Sequence, residues 1–104
     1  MRLKLDRVQT LRGKAEQEID RHFGGKIDHV IGPLGALHAL KRSSALSGNG
    51  GLVESDDDRQ AILSRAAEQD KELARLDRER RAAKQKVRAA GSVAEIKAVL
   101  ASLN

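Results

Sequence analysis

Cysteine, tryptophan and tyrosine are absent from this sequence of 104 residues, and phenylalanine, proline and methionine occur once each. Without cysteine there can be neither a disulfide framework nor a thiolate metal site, and the redox compartment leaves no mark on the sequence. With Phe23 as the sole aromatic there is no platform on which single-stranded bases could stack. The apolar residues are chiefly Ala, Leu, Val and Ile, so a core made from them is thin: fully burying a Leu or Val is worth roughly 1.5 to 3 kcal/mol, and Ala offers much less. A lone chain of this size is already short of interior. Part of its apolar surface is therefore expected to be covered by copies of itself or by a partner. No apolar run reaches the roughly 18 residues of a membrane span, and residues 1–7 (MRLKLDR) hold no apolar stretch of the signal-peptide kind. A soluble chain that starts in the cytoplasm is expected, folded as one small domain.

What the sequence does have is charge. Lys and Arg number 20 against 15 Asp and Glu, giving a formal charge of +5 and a pI near 10.0. That balance would suit a polyanion, yet the two signs are interleaved along most of the chain, which is the pattern of a solvated helical surface.

Periodicity predicts an all-α chain of three to four helices. In residues 3–23 the positions Leu5, Val8, Leu11, Ala15, Ile19 and Phe23 recur at steps of three and four, one face of an amphipathic helix. Gly24 and Gly25 are expected to end it. Residues 26–31, β-branched between glycines and a proline, could be a short strand or an extended connector, and with no obvious pairing partner the connector is preferred. Pro33 suits the first position of a second helix running to about Ser44, with a narrow stripe of Leu34, Leu37 and Leu40 that could extend to Ala45. Residues 47–55 read as a Gly-rich hinge loop separating an N-terminal helical segment, 1–46, from residues 56–104.

The strongest pattern lies beyond that loop. Ser55 and Asp58 have capping-box spacing, and Asp56, Asp57 and Asp58 put negative charge where the helix dipole favours it. Ile62, Ala66, Gln69, Leu73, Leu76, Arg80, Ala83, Val87 and Ala90 then alternate steps of four and three without a slip, which is a heptad seam. A helix over residues 56–90 would be a rod of roughly 50 Å at about 1.5 Å per residue. Gly91 is expected as its stop, and Ser92 with Glu95 starts a last short helix whose Val93, Ile96, Val99, Leu100 and Leu103 share a face. The seam lacks regular Leu and Ile knobs, so it reads as a rod to be covered by its own terminal helix and by a neighbouring subunit. The expected interface is Ile62, Ala66, Gln69, Leu73, Leu76, Arg80, Val87, Ile96 and Leu100. Gln69 and Arg80 in that seam would either fix register or mark a partly covered side of the rod.

No catalytic constellation is visible. The histidines, His22, His29 and His38, lack the i, i+4 spacing of helical zinc ligands. The aspartate run could attract Mg²⁺, but helix capping accounts for it, and consecutive helical residues point in different directions. The glycine-rich loop lacks the Lys-Ser/Thr ending of a phosphate-binding loop, and no serine sits in a nucleophile elbow. No catalytic, cofactor or metal residue is expected, and the chain is expected not to be an enzyme. The sharpest alternative is nucleic-acid binding through Arg75, Arg78, Arg81, Lys84 and Arg88, which could neutralise several phosphates. Against it stand the interspersed Asp77 and Glu79 and the lack of a helix-turn-helix or basic-zipper pattern.

Three stretches resemble small helical bacteriophage tail-region proteins of the tail-fibre-associated kind. They are residues 15–20 (AEQEID), residues 30–45 (VIGPLGALHALKRSSA) and residues 82–96 (AAKQKVRAAGSVAEI), the last with a long helix, a small residue, a serine cap and an Ala-Glu-Ile opening of the final helix. The sequence departs from those proteins in carrying Leu37 or His38 where an aromatic is usual and Ser44 where an acid is usual. The resemblance implies a structural or adaptor subunit of a tail or virion assembly, present in several copies, found in the host cytoplasm during assembly and then in the virion. Its partners would be further copies of the chain or other tail proteins. A cytosolic helical assembly chaperone or regulator is the remaining alternative.

Overall fold

The computed structural model describes residues 2–48 and 51–103, with side chains from Arg7 onward. Four helices occur in it and, among the described residues, no strand: α1 (Arg2–Ile31), α2 (Gly35–Ser47), α3 (Asp56–Ala89) and α4 (Val93–Ala101). The all-α expectation, with a long helix followed by a short terminal one, is met. The side chain of Leu5 of the first apolar face, and residues Asn49 and Gly50 of the loop, lie outside what is described.

The glycine pair does not end the first helix. α1 runs through Gly24 and Gly25, and residues 26–31, expected as an extended connector, are its last turns. Each glycine costs about 1 kcal/mol of helix propensity relative to Ala. Ala15, Ile19 and Phe23, all at most 5% exposed, anchor the helix just before the pair. Beyond the pair the Val30 carbonyl accepts from Gln69 Nε2 at 3.2 Å, so the helix is fastened on both sides of the glycines. The stop comes at Gly32, whose φ of +75° is the left-handed conformation and whose N–H donates to the Asp28 carbonyl at 2.8 Å.

The second helix starts at Gly35, two residues later than Pro33 suggests, and ends at Ser47, past Ser44. A Cβ at Gly35 would run into Cγ2 of Ile31. Ile31 is β-branched and stiff at χ1, so the turn between α1 and α2 needs a residue without a side chain there. Gly48, at φ +72°, closes α2 with its N–H on the Ser44 carbonyl at 2.9 Å.

Both caps read from the sequence are made. The Asp58 N–H donates to Ser55 Oγ at 3.1 Å, and Asp58 Oδ2 accepts from the Glu54 N–H at 3.0 Å. The Glu95 N–H donates to Ser92 Oγ at 3.2 Å, and Glu95 Oε2 accepts from the Gly91 N–H at 2.8 Å. In each case the acid reaches one residue further back than the cap itself. α3 ends at Ala89 with a tightened last turn, Ala90 N–H to the Val87 carbonyl at 3.2 Å, and Gly91 does not take a positive φ. The Arg12 guanidinium donates to the Ala90 carbonyl, one of those a helix end leaves unsatisfied.

Packing does not follow chain order. One compact unit holds Met1–Lys26 with Arg75–Asn104; the other holds Ile27–Ala74. In the first unit Ala15, Ile19, Phe23, Leu76, Ala83, Val87, Ala90 and Ile96 are buried. Glu16 meets Arg88 at 2.8 Å while Asp20 meets Lys84 and Arg80 at 3.0 Å each. Climbing α1 thus means descending α3, so the two segments are antiparallel. In the second unit, among the described residues, Ala45 alone is buried.

Candidate functional site

The heptad seam divides between these units, and its two halves have different fates. Leu76, Ala83, Val87 and Ala90 are consumed inside the first unit, and Ile96 of α4 is fully buried there with Leu100 half-covered. The fold itself occupies these positions. Ile62, Ala66, Gln69 and Leu73, in the second unit, are half-buried. Neither polar interruption is idle: Gln69 Nε2 donates to the Val30 carbonyl at 3.2 Å, and Arg80 donates to Asp77 at 2.9 Å and Asp20 at 3.0 Å. Each finds its partner within its own unit.

The five cations expected to touch phosphates are mostly engaged within the chain. Arg75 pairs with Glu79, Arg81 with Asp77, Lys84 with Asp20 and Arg88 with Glu16, at 2.8 to 3.0 Å. Arg78 is exposed and makes no ion pair among the described residues. The Lys84 ammonium, and after it Arg80, hold the Asp20 carboxyl below the usual carboxylate range, with partial burial opposing them; Arg80 does the same for Asp77. Even so, the first unit is where the basic charge resides. Its sequence carries 15 Lys and Arg against 7 Asp and Glu, whereas the second unit carries 5 against 8.

The second unit holds the uncovered apolar surface. Leu34, just before α2, and Leu37 and Leu40 of α2 are 56%, 37% and 60% exposed, and Ile31, Leu46 and Leu52 join them; among the described residues no large apolar side chain of the first unit is this exposed. The leucines of the narrow apolar stripe therefore do not face α3. Gly35, His38, Ala39 and Arg42 line that side, around a cavity of about 520 Å³ shared with Ile62, Ala66, Gln69 and Leu73 of α3. Two contacts fasten α2 to α3. Arg42 forks onto Asp70, Nη1 to Oδ1 at 2.9 Å and Nη2 to Oδ2 at 2.7 Å, and Arg59 Nε donates to the Ala45 carbonyl at 2.7 Å. Arg42 holds the Asp70 carboxyl below its usual range. Lys41 and Arg65 also line the cavity, and neither has an ion-pair partner among the described residues.

Sequence reasoning missed this cavity, the Arg42–Asp70 pair and the need for Gly35. Arg42 and Asp70 belong to no periodic pattern and lie 28 residues apart. The closeness of Pro33 and Gly35 was the one available hint of a tight turn. Among the described residues no three His, Asp or Glu side chains gather closely enough to hold a metal ion, and no helix is long and apolar enough to cross a membrane. Comparison with protein-family models, with curated proteins and with solved structures finds no match to this chain.

Proposed function

We propose that this chain is a non-catalytic structural or adaptor subunit of a bacteriophage-like tail or virion assembly, acting through helix packing with other subunits. The observation that carries the reading is the leucine stripe of α2, with Leu34 and Leu40 more than half exposed on a chain that has few large apolar residues to spare. Burying such a stripe against another subunit gives association that salt does not screen. The resemblance of residues 15–20, 30–45 and 82–96 to tail-region proteins supplies the kind of assembly.

The test is co-expression of a tagged chain with its flanking genes, followed by gradient sedimentation at low and high salt. A particle or subcomplex carrying the chain in fixed stoichiometry at both salts is expected. Mature particles that lack it would instead indicate an assembly chaperone, and a complex that dissolves as salt rises would sink the apolar-docking reading.

One observation favours a second reading, association of the first unit with a polyanion. Arg7, Lys14, Arg21, Arg78, Lys86 and Lys97 are exposed there without ion-pair partners among the described residues. These, and not the paired cations of α3, would make the contacts. A mobility-shift assay with duplex DNA and with RNA at two salt concentrations decides it: retardation at low salt that vanishes at high salt is the expected signature, and no retardation at low salt ends this reading.

A further inference from the structure

The second unit carries two surfaces of opposite character. One is the cationic rim of the cavity between α2 and α3, formed by Lys41 and Arg65; the exposed Leu37 and Leu40 lie outside the cavity, on the side of α2 turned away from α3, with Lys41 next to Leu40 in the chain. Arg42 and Asp70 neutralise each other in its wall, and Asp58, which accepts from the Glu54 N–H, keeps its own charge there, so Lys41 and Arg65 leave the wall with one positive charge in excess. The other surface is the entry to α3, where Asp56 and Asp57 are exposed, make no ion pair among the described residues, and follow the exposed Leu52 by four and five positions. Acid next to leucine there matches base next to leucine here.

We propose that the second unit is a self-association surface, in which Leu37, Leu40, Lys41 and Arg65 of one copy receive Leu52, Asp56 and Asp57 of a second copy. Because both surfaces belong to one unit, a two-fold arrangement makes each contact twice, with residue i meeting j and j meeting i. Apolar burial supplies the attraction, and the charges fix orientation and reject mismatched docking. A nucleic acid or an anionic bilayer would approach a unit in which Asp and Glu outnumber Lys and Arg. A partner with local acids beside apolar side chains fits the site, and this chain presents that combination itself. The inference does not depend on the tail-assembly reading, since no other protein takes part.

Sedimentation equilibrium of the full chain from about 1 µM to 1 mM, the range of weak reversible association, tests it. A concentration-dependent dimer is expected. Lys41→Glu with Arg65→Glu should raise its dissociation constant by about tenfold or more, as should Asp56→Lys with Asp57→Lys; all four changes in one chain should restore most of the affinity. A chain that stays monomeric, a dimer indifferent to both pairs of changes, or no recovery in the fourfold variant overturns the proposal. Circular dichroism checks each variant's helicity. Should any misfold, hydrogen exchange of the unaltered chain replaces them: protection that grows with concentration at residues 34–41 and 52–57, and not at 75–103, is required. A monomer that still enters a salt-resistant assembly removes this proposal alone, whereas a dimer absent from any assembly removes only the tail-assembly reading.

Discussion

Arg42 and Asp70 meet fork to fork, with two parallel N–H···O bonds of 2.9 and 2.7 Å joining α2 to α3. Paired guanidinium and carboxylate planes of this kind fix orientation as well as distance. In a unit whose only buried apolar residue among those described is Ala45, that matters more than it would in a full core.

Arg42→Lys keeps the charge but loses the second bond. Amide exchange across α2 should quicken by a factor of roughly five at most, given how little exposed pairs contribute, with Arg42→Ala at least as fast. Asp70→Asn should match it and the double variant should add nothing further. Unchanged exchange in α2 would show that the pair does not hold the helix.

Core and stripe should respond oppositely to the same change. Ile19 and Ile96 are fully buried, so Ile19→Ala or Ile96→Ala should cost about 2 to 5 kcal/mol in urea unfolding. Leu40 is 60% exposed, and Leu40→Ala should leave the stability of the isolated chain within about 0.5 kcal/mol. A Leu40 variant as damaged as the isoleucine variants would mean that this side chain is covered in solution.

Acid should weaken the first unit through Asp20. Its folded pKa lies below the ordinary carboxylate value because Lys84 and Arg80 stabilise the charged form. Its contribution is therefore present above the ordinary value, 3.8, and is lost as pH falls through the lower folded one. Asp20 is nearly half exposed, which limits the effect to about 1 kcal/mol or less. Asp20→Asn should lower the melting temperature at pH 7, and the gap from the unaltered chain should close at acid pH. A gap that persists in acid would assign the loss to something other than these pairs.

Gly24 and Gly25 offer a gain. A Cβ at either meets no atom within 4 Å, and neither takes a positive φ. Gly24→Ala and Gly25→Ala should each stabilise by up to about 1 kcal/mol, by helix propensity and by restricting the unfolded chain. Loss of stability in either variant would reveal a contact that the helix surface does not show.

The same glycines mark where reading the sequence stops working. α3, α4 and both caps were legible because spacing and capping chemistry are local: Ser55 with Asp58 and Ser92 with Glu95 need only each other. The extension of α1 past Gly25 was not, since what holds it comes from residues distant in sequence: burial of Ile19 and Phe23 before the glycines and the Gln69 bond to the Val30 carbonyl after them. The stripe of Leu34, Leu37 and Leu40 shows the subtler failure. Periodicity identifies residues that share a helix face, but it does not say whether anything covers that face. Here Gly35 and Ala39 line the side toward α3, and the leucines are left outside. Of the seam, Leu76, Ala83, Val87 and Ala90 lie in the chain's own interior, while Ile62, Ala66, Gln69 and Leu73 stay half-buried.

Alanine supplies Ala15, Ala45, Ala83 and Ala90 among the buried apolar residues, while Leu34, Leu40 and Leu46 remain more than half in water. Beyond Ile19, Phe23, Leu76, Val87 and Ile96, unfolding the isolated chain consequently wets little apolar surface that was fully buried before. Since newly exposed apolar surface is what raises the heat capacity on unfolding, the increment should fall below the usual 12 to 15 cal/mol/K per residue, roughly. A small increment flattens the stability curve. The isolated chain would lose stability gently over a broad span of temperature, and cold would threaten it less than it threatens a protein with a large leucine-rich interior.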